Sequence, residues 1–417
     1  MPSPRSSYAL GTLADRSLWF VGIGGAGMSA LAAVAQAHGA RVGGSDHARS
    51  DYVELLEQRG IAVTPGHDAA NVPPGFEVVA STAIPPDNPE VAGRPTISRG
   101  ALLADLVHEL PAIVVAGAHG KTTTAAMIAF CLERLGHDPT FLIGGMVPQL
   151  GGNARAGTSW LVTEGDESDR SLELLSPTVA VITNVDLDHH ATFASRAEVE
   201  GLFEAWVASL PASATVVHGS LLAPVQFELA TPGEHNRHNA ACALAALEAV
   251  GVNAGKAAEE LAAFRGVARR VEFHGRPGGV HLYDDYGHHP VEVAAALAAL
   301  RETASDRGRL HVLFQPHLFS RTLHLHAEFA EALAAADAVC VTEIYPAREQ
   351  PLAGVTAKLI VDSLCRYRPG MPVMYAPELE DAPAMVAAGA VPGDIVVTMG
   401  AGDVARAIPL FAERFRP

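Results

Sequence analysis

The sequence contains very little lysine. Only Lys121, Lys256 and Lys358 occur among its 417 residues, and arginine supplies the rest of its 29 basic residues. Since 46 acidic residues oppose them, the formal net charge is −17. A surface of this charge repels phosphate backbones and anionic lipid, so we expect neither nucleic acid nor a membrane surface as a partner. A phosphorylated substrate would need local devices, such as helix N-termini, single cations or metal ions.

Long apolar runs and paired cysteines are also missing. No stretch approaches the roughly 20 apolar residues that span a bilayer, and the N-terminal residues lack a basic start followed by an apolar core. We therefore expect the protein to stay in the cytosol. Four cysteines lie far apart in apolar surroundings, without a C-x-x-C pair for zinc or redox chemistry. We expect all four to be buried free thiols: Cys131, Cys242, Cys340 and Cys365.

The length and the hydrophobic pattern indicate a packed α/β protein of about three domains. Three segments each begin with a β-like apolar run that leads into a helical pattern, and the helical length of the connections predicts parallel sheets. We place the domains at residues 1–108, 109–268 and 269–417. Helices are predicted over Asn236–Val250 and Ala254–Phe264, and the α/β pattern of the third segment includes further helical stretches over Val291–Thr303 and Glu328–Ala336.

A glycine-rich turn follows the first predicted strand. Gly22-Ile-Gly-Gly-Ala-Gly27 has the G-x-G-x-x-G spacing, and Asp46 ends the next strand. Glycine lets the backbone approach a diphosphate while the helix N-terminus supplies N–H donors. The motif fits NAD, FAD and UDP-sugar diphosphates alike, and a tight βα turn without a ligand is the alternative.

A second loop carries the first of the three lysines. Gly117-Ala-His-Gly-Lys-Thr-Thr-Thr124 follows an apolar strand and precedes an apolar helix. A strict phosphate-binding P-loop has glycine where this chain has Val115, so the match is partial. Its second half retains backbone N–H groups, an ammonium for the β- and γ-phosphates and a hydroxyl for Mg²⁺.

Acidic groups follow the next two predicted strands. Glu164-Gly-Asp-Glu-Ser-Asp169 ends one, and Asn184-Val-Asp-Leu-Asp-His189 ends the other. In a parallel sheet these strand ends lie beside the lysine loop, where carboxylate and imidazole suit metal binding. For Asp166, Glu167 and Asp169 a solvated acidic loop is an equal alternative.

Three further clusters lie downstream. Asn236 follows Pro232-Gly-Glu-His235 and has a plain helix N-cap as its alternative role. Asp284-Asp-Tyr-Gly-His-His-Pro290 places two carboxylates, two imidazoles and a phenol within seven positions. Phe314-Gln-Pro-His317 is followed by Arg321, whose guanidinium can grip a carboxylate through two hydrogen bonds.

Together these motifs resemble the Mur ligases, in the family's order along nearly the whole chain. Further matching segments are Ser81-Thr-Ala-Ile84, Asp87-Asn-Pro-Glu90 and Gly400-Ala-Gly-Asp403. The resemblance implies an α/β fold of three domains: a Rossmann-like UDP-binding domain, a P-loop ATPase-like central domain and a Rossmann-like C-terminal domain that presents the amino acid. A monomer or weak homodimer is expected.

The resemblance also implies an activity in peptidoglycan precursor synthesis. ATP phosphorylates the lactyl carboxylate of UDP-N-acetylmuramate, and the amine of an amino acid, expected to be L-alanine, attacks the acyl phosphate to give an amide, ADP and phosphate. Lys121 and Mg²⁺ would neutralise charge on the transferring phosphoryl group.

The family's pattern assigns residues to each ligand. UDP-sugar contacts are expected at Gly22, Gly24, Gly25, Ala26, Gly27, Met28, Ser45, Asp46 and Ser81. ATP contacts are expected at Gly117, His119, Gly120, Lys121, Thr122, Thr123, Asn236 and Asp285, with Arg269 or Arg270. Metal ligands are expected at Thr122, Glu164 and, for a second metal, His189. The incoming amino acid is expected to meet Tyr286, His288, His317 and Arg321, and the catalytic groups would be Lys121, His288 and Arg321.

The chain departs from the family's pattern in places. Leu318 stands where arginine is usual, Ala191 stands where aspartate is usual, and a small β-rich insertion before Pro232 is missing. Several relatives carry a carbamylated lysine in the central domain, but no lysine lies between Lys121 and Lys256. This absence fits the alanine-adding branch of the family.

Three other functions compete with this interpretation. A dinucleotide-dependent oxidoreductase would explain Gly22–Gly27 with Asp46 but not the lysine loop. A non-catalytic binding protein derived from the ligases would explain Leu318 and Ala191 but not the retained Lys121. A ligase that adds a preformed peptide to the same UDP-sugar is the nearest alternative.

Overall fold

A computed structural model describes residues 13–187, 192–304, 308–347 and 349–416. Three sheets, with helices between their strands, dominate these residues. The chain divides into two compact units. One comprises the described residues up to Leu229 with Arg237–Arg265, and the other comprises Ala230–Asn236 with the described residues from Gly266 onward. Within the described ranges, no helix is long and apolar enough to cross a membrane.

The first sheet is parallel, with the strand order β3-β2-β1-β4-β5. Its elements are β1 (Ser17–Val21), α1 (Ala26–Ala37), β2 (Arg41–Asp46), α2 (Asp51–Gln58), β3 (Ala62–Pro65), β4 (Glu77–Ala80), β5 (Thr96–Ser98) and α3 (Arg99–Glu109). Serine side chains cap the first turns of α2 and α3. The strand order reverses between β1 and β4, which opens a crevice at the carboxyl end of β1.

The second sheet has the order β11-β10-β6-β9-β7-β8, and only the pair β7–β8 is antiparallel. Its segment contains β6 (Ala112–Ala116), α4 (Lys121–Arg134), β7 (Thr140–Val147), β8 (Gly152–Arg155), β9 (Leu161–Glu164), β10 (Val179–Ile182), α5 (Arg196–Ser209), β11 (Thr215–His218), α6 (Glu234–Ala249) and α7 (Ala254–Leu261). Every residue of β6 is buried, as expected for an apolar strand with neighbours on both sides and helices on its faces.

The third sheet has the order β12-β13-β17-β14-β15-β16, with β12 antiparallel to β13. Its segment contains β12 (Glu272–Gly275), β13 (His281–Asp285), α8 (Pro290–Thr303), β14 (Leu310–Phe314), α9 (Phe319–Leu333), β15 (Ala338–Val341), α10 (Lys358–Tyr367), β16 (Val373–Tyr375), α11 (Ala382–Ala387), β17 (Ile395–Met399) and α12 (Ala407–Arg414). The carboxyl ends of β13, β14 and β17 therefore lie side by side.

Two helices begin earlier than the sequence pattern predicts. Helix α6 begins at Glu234, so Asn236 lies inside its first turn, and its side-chain amide donates to the carbonyl of Pro232 at 2.7 Å. Helix α9 begins at Phe319 instead of Glu328. Polar residues interrupt the apolar pattern in its first two turns, but tertiary packing buries Arg321 and Thr322 there.

The expectation that all four cysteines are buried is wrong for one of them. Cys131, Cys242 and Cys340 are buried, and Cys365 in α10 is exposed. Burial raises the pKa of the Cys131 thiol to about 12, so this thiol stays protonated and packs as a small apolar group.

Candidate active site

The glycine-rich turn after β1 is held against the end of β2. The carbonyl of Ser45 accepts from the backbone N–H groups of Gly22 at 2.8 Å and Ile23 at 3.0 Å. Gly24 N–H donates to Asp46 Oδ2 at 2.8 Å. Gly22 adopts a φ of +74°, a conformation that favours glycine. The turn thus has the compact βα geometry that the sequence predicts, and Gly25 caps α1 directly after it.

A buried carboxylate supports the same turn. Glu90 has a fully buried side chain and accepts hydrogen bonds from Ser45 Oγ, from Asn71 Nδ2 at 2.7 Å and from Trp19 Nε1 at 3.3 Å. Burial opposes the charge of Glu90, but these hydrogen bonds outweigh it and lower the pKa of the carboxyl. Ser45 Oγ also lies 2.9 Å from His67 Nδ1. Ser45 therefore fixes the end of β2 through both its side chain and its carbonyl.

Three other residues assigned to the UDP-sugar lie at or beside this turn. Met28 is buried in α1, whereas Ser81 is half-buried and begins a turn whose Ile84 N–H donates to the Ser81 carbonyl at 3.1 Å. A Cβ on Gly22 would lie 2.9 Å from Ile84 Cδ1. The loops after β1 and β4 therefore meet at the crevice where the strand order reverses. Ala26 begins α1 and accepts from Asn153 Nδ2 at 2.9 Å.

The lysine loop after β6 requires glycine at both of its ends. Gly117 has a φ of +128°, and a Cβ there would collide with Thr183 Oγ1. Gly120 has a φ of +82°, and a Cβ there would collide with Asn239 Oδ1. Between them, the His119 carbonyl accepts from Thr183 Oγ1 at 2.7 Å and from Asn184 Nδ2 at 2.9 Å. The loop is thus held in one conformation before α4 begins at Lys121.

Lys121 directly follows this loop as the first residue of α4. Its Nζ donates to the Gly117 carbonyl at 2.6 Å and to both carboxylate oxygens of Glu167 at 2.9 and 3.0 Å. Burial disfavours the ammonium, but the negative charges of Glu167, Asp166 and Glu164 outweigh it and raise the pKa of Lys121. Lys121 therefore carries a positive charge at the position where a P-loop lysine meets phosphate.

Thr122 and Glu164 lie next to each other and supply oxygen ligands. Thr122 Oγ1 donates to Glu164 Oε2 at 2.9 Å, and Gly144 N–H donates to Glu164 Oε1 at 2.5 Å. A hydroxyl beside a carboxylate at the end of a P-loop is the donor set that Mg²⁺ prefers, so these residues fit that ion. Among the described residues, no group of three or more His, Cys, Asp or Glu side chains forms a metal site. The second expected ligand, His189, lies outside the described residues.

The acidic loop after β9 is not a solvated charge run. Glu167 is 3% exposed and pairs with Lys121, and Asp166 and Asp169 accept hydrogen bonds from Arg99. The sequence left this alternative open because the partner arginine lies 67 residues before Asp166. The neighbouring Thr123 is buried in the first turn of α4.

In the second unit, Arg269 links the carboxyl ends of β13 and β17. Arg269 has a φ of +61°, and its guanidinium donates to Asp284 Oδ2 at 3.0 Å, the Gly400 carbonyl at 2.6 Å and the Gly402 carbonyl at 3.2 Å. Asp285 is buried and accepts from the N–H groups of Val271 and Gly287. Burial raises the pKa of the Asp285 carboxyl to about 6.

An aromatic and imidazole cluster follows β13 and β14. The Tyr286 ring lies 5.0 and 5.2 Å from the guanidinium carbons of Arg269 and Arg270, within cation–π range. Its centroid lies 5.4 Å from that of His288, which lies 5.8 Å from that of His317. His288 Nδ1 is 3.1 Å from the Tyr286 carbonyl.

Arg321 ends this row of side chains. It is 7% exposed, and its Nη1 lies 3.3 Å from His317 Nδ1. His317 stacks on Tyr345 with centroids 5.9 Å apart. The preceding Leu318 has a φ of +72°, which is strained for a side chain of this kind. The four residues assigned to the amino acid therefore form one row of neighbouring side chains: Tyr286, His288, His317 and Arg321.

The expected site residues thus form two groups, one in each unit. Sequence reasoning missed Arg99 and Asn239, which contact the two glycine loops from distant segments, and it missed the supporting role of Glu90. The sequence signals Glu90 only through its position in Asp87-Asn-Pro-Glu90, a segment that matches the pattern of the family that the chain resembles.

Three family models match the chain. They are described as the Mur ligase family catalytic domain over residues 18–109, the Mur ligase middle domain over residues 115–220 and the Mur ligase glutamate ligase domain over residues 269–402.

Curated proteins and solved structures agree with these matches. A UDP-N-acetylmuramate–L-alanine ligase of Streptomyces avermitilis is 40% identical, with 95% of this chain and 96% of that protein covered. The crystal structure of a UDP-N-acetylmuramate–alanine ligase of Thermotoga maritima superposes with a TM-score of 0.82 at 28% identity, covering 96% of this chain and 99% of that one. A murein peptide ligase of Psychrobacter arcticus has a TM-score of 0.70 at 22% identity over 96% of this chain and 99% of that one, which shows the fold alone. The chain belongs to the Mur ligase family.

Proposed function

We propose that this protein is an ATP-dependent ligase that joins L-alanine to the lactyl carboxylate of UDP-N-acetylmuramate in peptidoglycan precursor synthesis. The observation that carries the proposal is the Lys121 loop, in which a charged ammonium paired with Glu167 is followed by Thr122, whose hydroxyl donates to Glu164. Likeness to alanine-adding ligases over nearly the full length supports the substrates. The activity requires ATP, and ADP and phosphate leave with the amide product.

In the proposed reaction, the lactyl carboxylate attacks the γ-phosphorus of ATP to give an acyl phosphate and ADP. Lys121 binds the β- and γ-phosphates and neutralises charge as the phosphoryl group moves. The N–H groups in the first turn of α4 bind the same phosphates, since those of Ala118 and His119 already donate to Asn184. Mg²⁺, held by Thr122 and Glu164, would supply a Lewis acid for the phosphate oxygens when it is bound.

The second half of the reaction uses the second unit. Arg321 binds the carboxylate of the amino acid, since a buried guanidinium forms strong charge-assisted hydrogen bonds with it. His288 and His317 line the path of its amine, which must lose a proton before it attacks the acyl carbon. The acyl carbon–oxygen bond then breaks, and phosphate leaves.

Two alternatives lack a supporting observation. The likeness to peptide-adding ligases is weaker than that to alanine-adding ones, at 22% identity in one structure and 28% over only 61% of this chain in another, against 40% over 95% of the chain. A non-catalytic role does not account for the intact Lys121 loop. The cytosolic location, the monomer or weak dimer, and the absence of nucleic-acid and membrane partners stay predictions from the sequence.

The test is phosphate release from ATP with UDP-N-acetylmuramate and a panel of amino acids and short peptides. L-Alanine should give the highest kcat/KM, with small residues such as glycine and L-serine following. Phosphate release that requires a tripeptide instead, or that is independent of UDP-N-acetylmuramate, contradicts the proposal.

A further inference from the structure

Arg99 lies between the glycine-rich turn and the acidic loop of the first unit. It is the first residue of α3, and its side chain is 16% exposed. A Cβ built on Gly27 would lie 3.6 Å from Arg99 Cδ and 3.7 Å from its Nη1. The guanidinium therefore borders the first turn of α1, the helix end to which the proposed function assigns the diphosphate of the UDP-sugar.

Two aspartates hold one edge of this guanidinium. Arg99 Nη2 donates to Asp166 Oδ2 at 3.3 Å and to Asp169 Oδ2 at 3.2 Å. The other oxygen of each aspartate accepts a backbone N–H of the same loop, from Ser168 and Ser171, both at 2.9 Å. Because both carboxylates are themselves fixed, they orient the guanidinium and leave it little rotational freedom.

Close packing brings α3 to this loop. A Cβ on Gly100 would collide with the side chain of Ser171, so glycine at this position lets the first turn of α3 approach the segment that carries Asp169. Arginine in the first turn of a helix opposes the helix dipole. Helix stability therefore does not account for an arginine here, and its position needs another explanation.

The nitrogens on the other edge of the guanidinium donate to no described residue. These nitrogens are Nε and Nη1 of Arg99. Donors of a largely buried arginine that face no acceptor within the described ranges are available to a ligand. Nη1 is the nitrogen nearest to Gly27, and a guanidinium edge matches the geometry of phosphate oxygens.

We propose that Arg99 binds the diphosphate of the UDP-sugar, and that Asp166 and Asp169 are positioning residues that aim it. The inference rests on the proposed function for the identity of the ligand. It adds a side-chain cation to a site that would otherwise rely on the N–H groups in the first turn of α1, because the N–H groups of the glycine turn itself donate to Ser45, Asp46 and Gly22. In a protein with a net charge of −17, such a cation offsets the general repulsion of a doubly charged diphosphate.

The test is the affinity of the full-length protein for UDP-N-acetylmuramate, UDP and uridine, measured by isothermal titration calorimetry or competition. Arg99→Met should lower the affinity for UDP-N-acetylmuramate and for UDP by about ten- to a hundredfold, as expected for the loss of a charge-assisted contact. Uridine affinity should change less than twofold because uridine has no phosphate. Arg99→Lys should give an intermediate loss, since it keeps the charge but not the planar edge.

Matched variants separate binding from folding. Arg49 also pairs with two carboxylates, Glu54 and Glu57 of α2, but its own side chain is 64% exposed, so Arg49→Met should leave all three affinities unchanged. Asp169→Asn should lower the affinity for UDP several-fold while the affinity for uridine stays constant. Adding Asp169→Asn to Arg99→Met should cause no further loss, because the aspartate acts only through that arginine.

Three results would overturn the inference. Unchanged UDP affinity in Arg99→Met would show that Arg99 does not contact the diphosphate. Equal losses for UDP and uridine show that Arg99 only stabilises the fold. A full loss in Asp169→Asn that persists on the Arg99→Met background shows that Asp169 acts independently. If the unaltered protein itself fails to bind UDP-N-acetylmuramate, the proposed function fails instead.

Discussion

Lys121 donates to both carboxylate oxygens of Glu167, at 2.9 and 3.0 Å, and both side chains are largely buried. The ammonium that serves ATP in the proposed function is thus held charged and aimed by a carboxylate from the neighbouring strand end. Removing one member of a buried ion pair costs about 3–5 kcal/mol because the other charge stays behind. Variants of Lys121 must therefore be designed so that stability and catalysis are measured separately.

Lys121→Ala should lower ligation by about a hundredfold or more, since one phosphate-directed charge in a fixed site contributes about 3 kcal/mol or more to the transition state. Affinity for UDP-N-acetylmuramate should stay nearly unchanged. Lys121→Ala/Glu167→Gln should regain stability without regaining turnover, and the exposed Lys256→Ala is the control. Steady-state kinetics and chemical denaturation provide the two measurements; turnover above a tenth of the original in either Lys121 variant would refute the assignment.

Glu164→Gln should reduce activity most strongly at low Mg²⁺, because the amide is a weaker ligand than the carboxylate for a hard cation. Raised Mg²⁺ should restore part of the loss. The readout is kcat as a function of Mg²⁺ concentration, with the exposed Glu173→Gln as a control in the same region. A defect of equal depth at every Mg²⁺ concentration would show that Glu164 acts in another role. The same behaviour is expected of His189→Ala.

Glu90→Gln should lower the free energy of unfolding at pH 7 by about 1.5–3 kcal/mol, the usual contribution of hydrogen bonds to a charged group. The folded-state pKa of Glu90 lies below its ordinary value of 4.5, so its stabilisation is present above that pH and is lost as the pH falls through the folded-state pKa. Urea denaturation at pH 7, 5.5 and 4 should show a difference that shrinks only at the lowest pH. The exposed Glu54→Gln should show almost none. A difference independent of pH would mean that the charge of Glu90 does not contribute.

Arg321→Ala should reduce kcat/KM for L-alanine by about ten- to a hundredfold with little change in the KM for ATP. Leu318→Arg should lower the KM for L-alanine, since it adds a second guanidinium one helical turn away. Arg301→Ala, on the neighbouring α8 where the arginine pairs with Asp337, is the matched control. If Arg321→Ala is benign and Leu318→Arg leaves that KM unchanged, the carboxylate of the amino acid binds elsewhere.

The sequence predicts the α/β class and the positions of the loops because functional residues in such folds follow strand ends. Gly117–Thr124 and Glu164 follow β6 and β9, which are neighbours in one parallel sheet. The family and the alanine-adding activity are also predicted, since the motifs occur in order along the chain. The boundaries at residues 108 and 268 and the individual ligand contacts stay predictions.

Interactions between distant segments are what the sequence does not predict. Arg99 meets Asp166 across 67 positions, and Glu90 meets Trp19 across 71, so no local pattern marks either pair. The early start of α9 and the exposure of Cys365 also depend on how each helix packs on its sheet. Local periodicity reports only the average environment of a segment, and it is silent about single buried polar residues such as Arg321.

The most direct test of the account follows oxygen from substrate to phosphate. UDP-N-acetylmuramate labelled with ¹⁸O in both oxygens of the lactyl carboxylate is incubated with ATP, Mg²⁺ and L-alanine, and phosphate and product are analysed by mass spectrometry. An acyl phosphate intermediate predicts one ¹⁸O in the released phosphate, one in the new amide, and a product heavier by one alanyl residue. Phosphate without ¹⁸O, or a product without the alanyl residue, would contradict it.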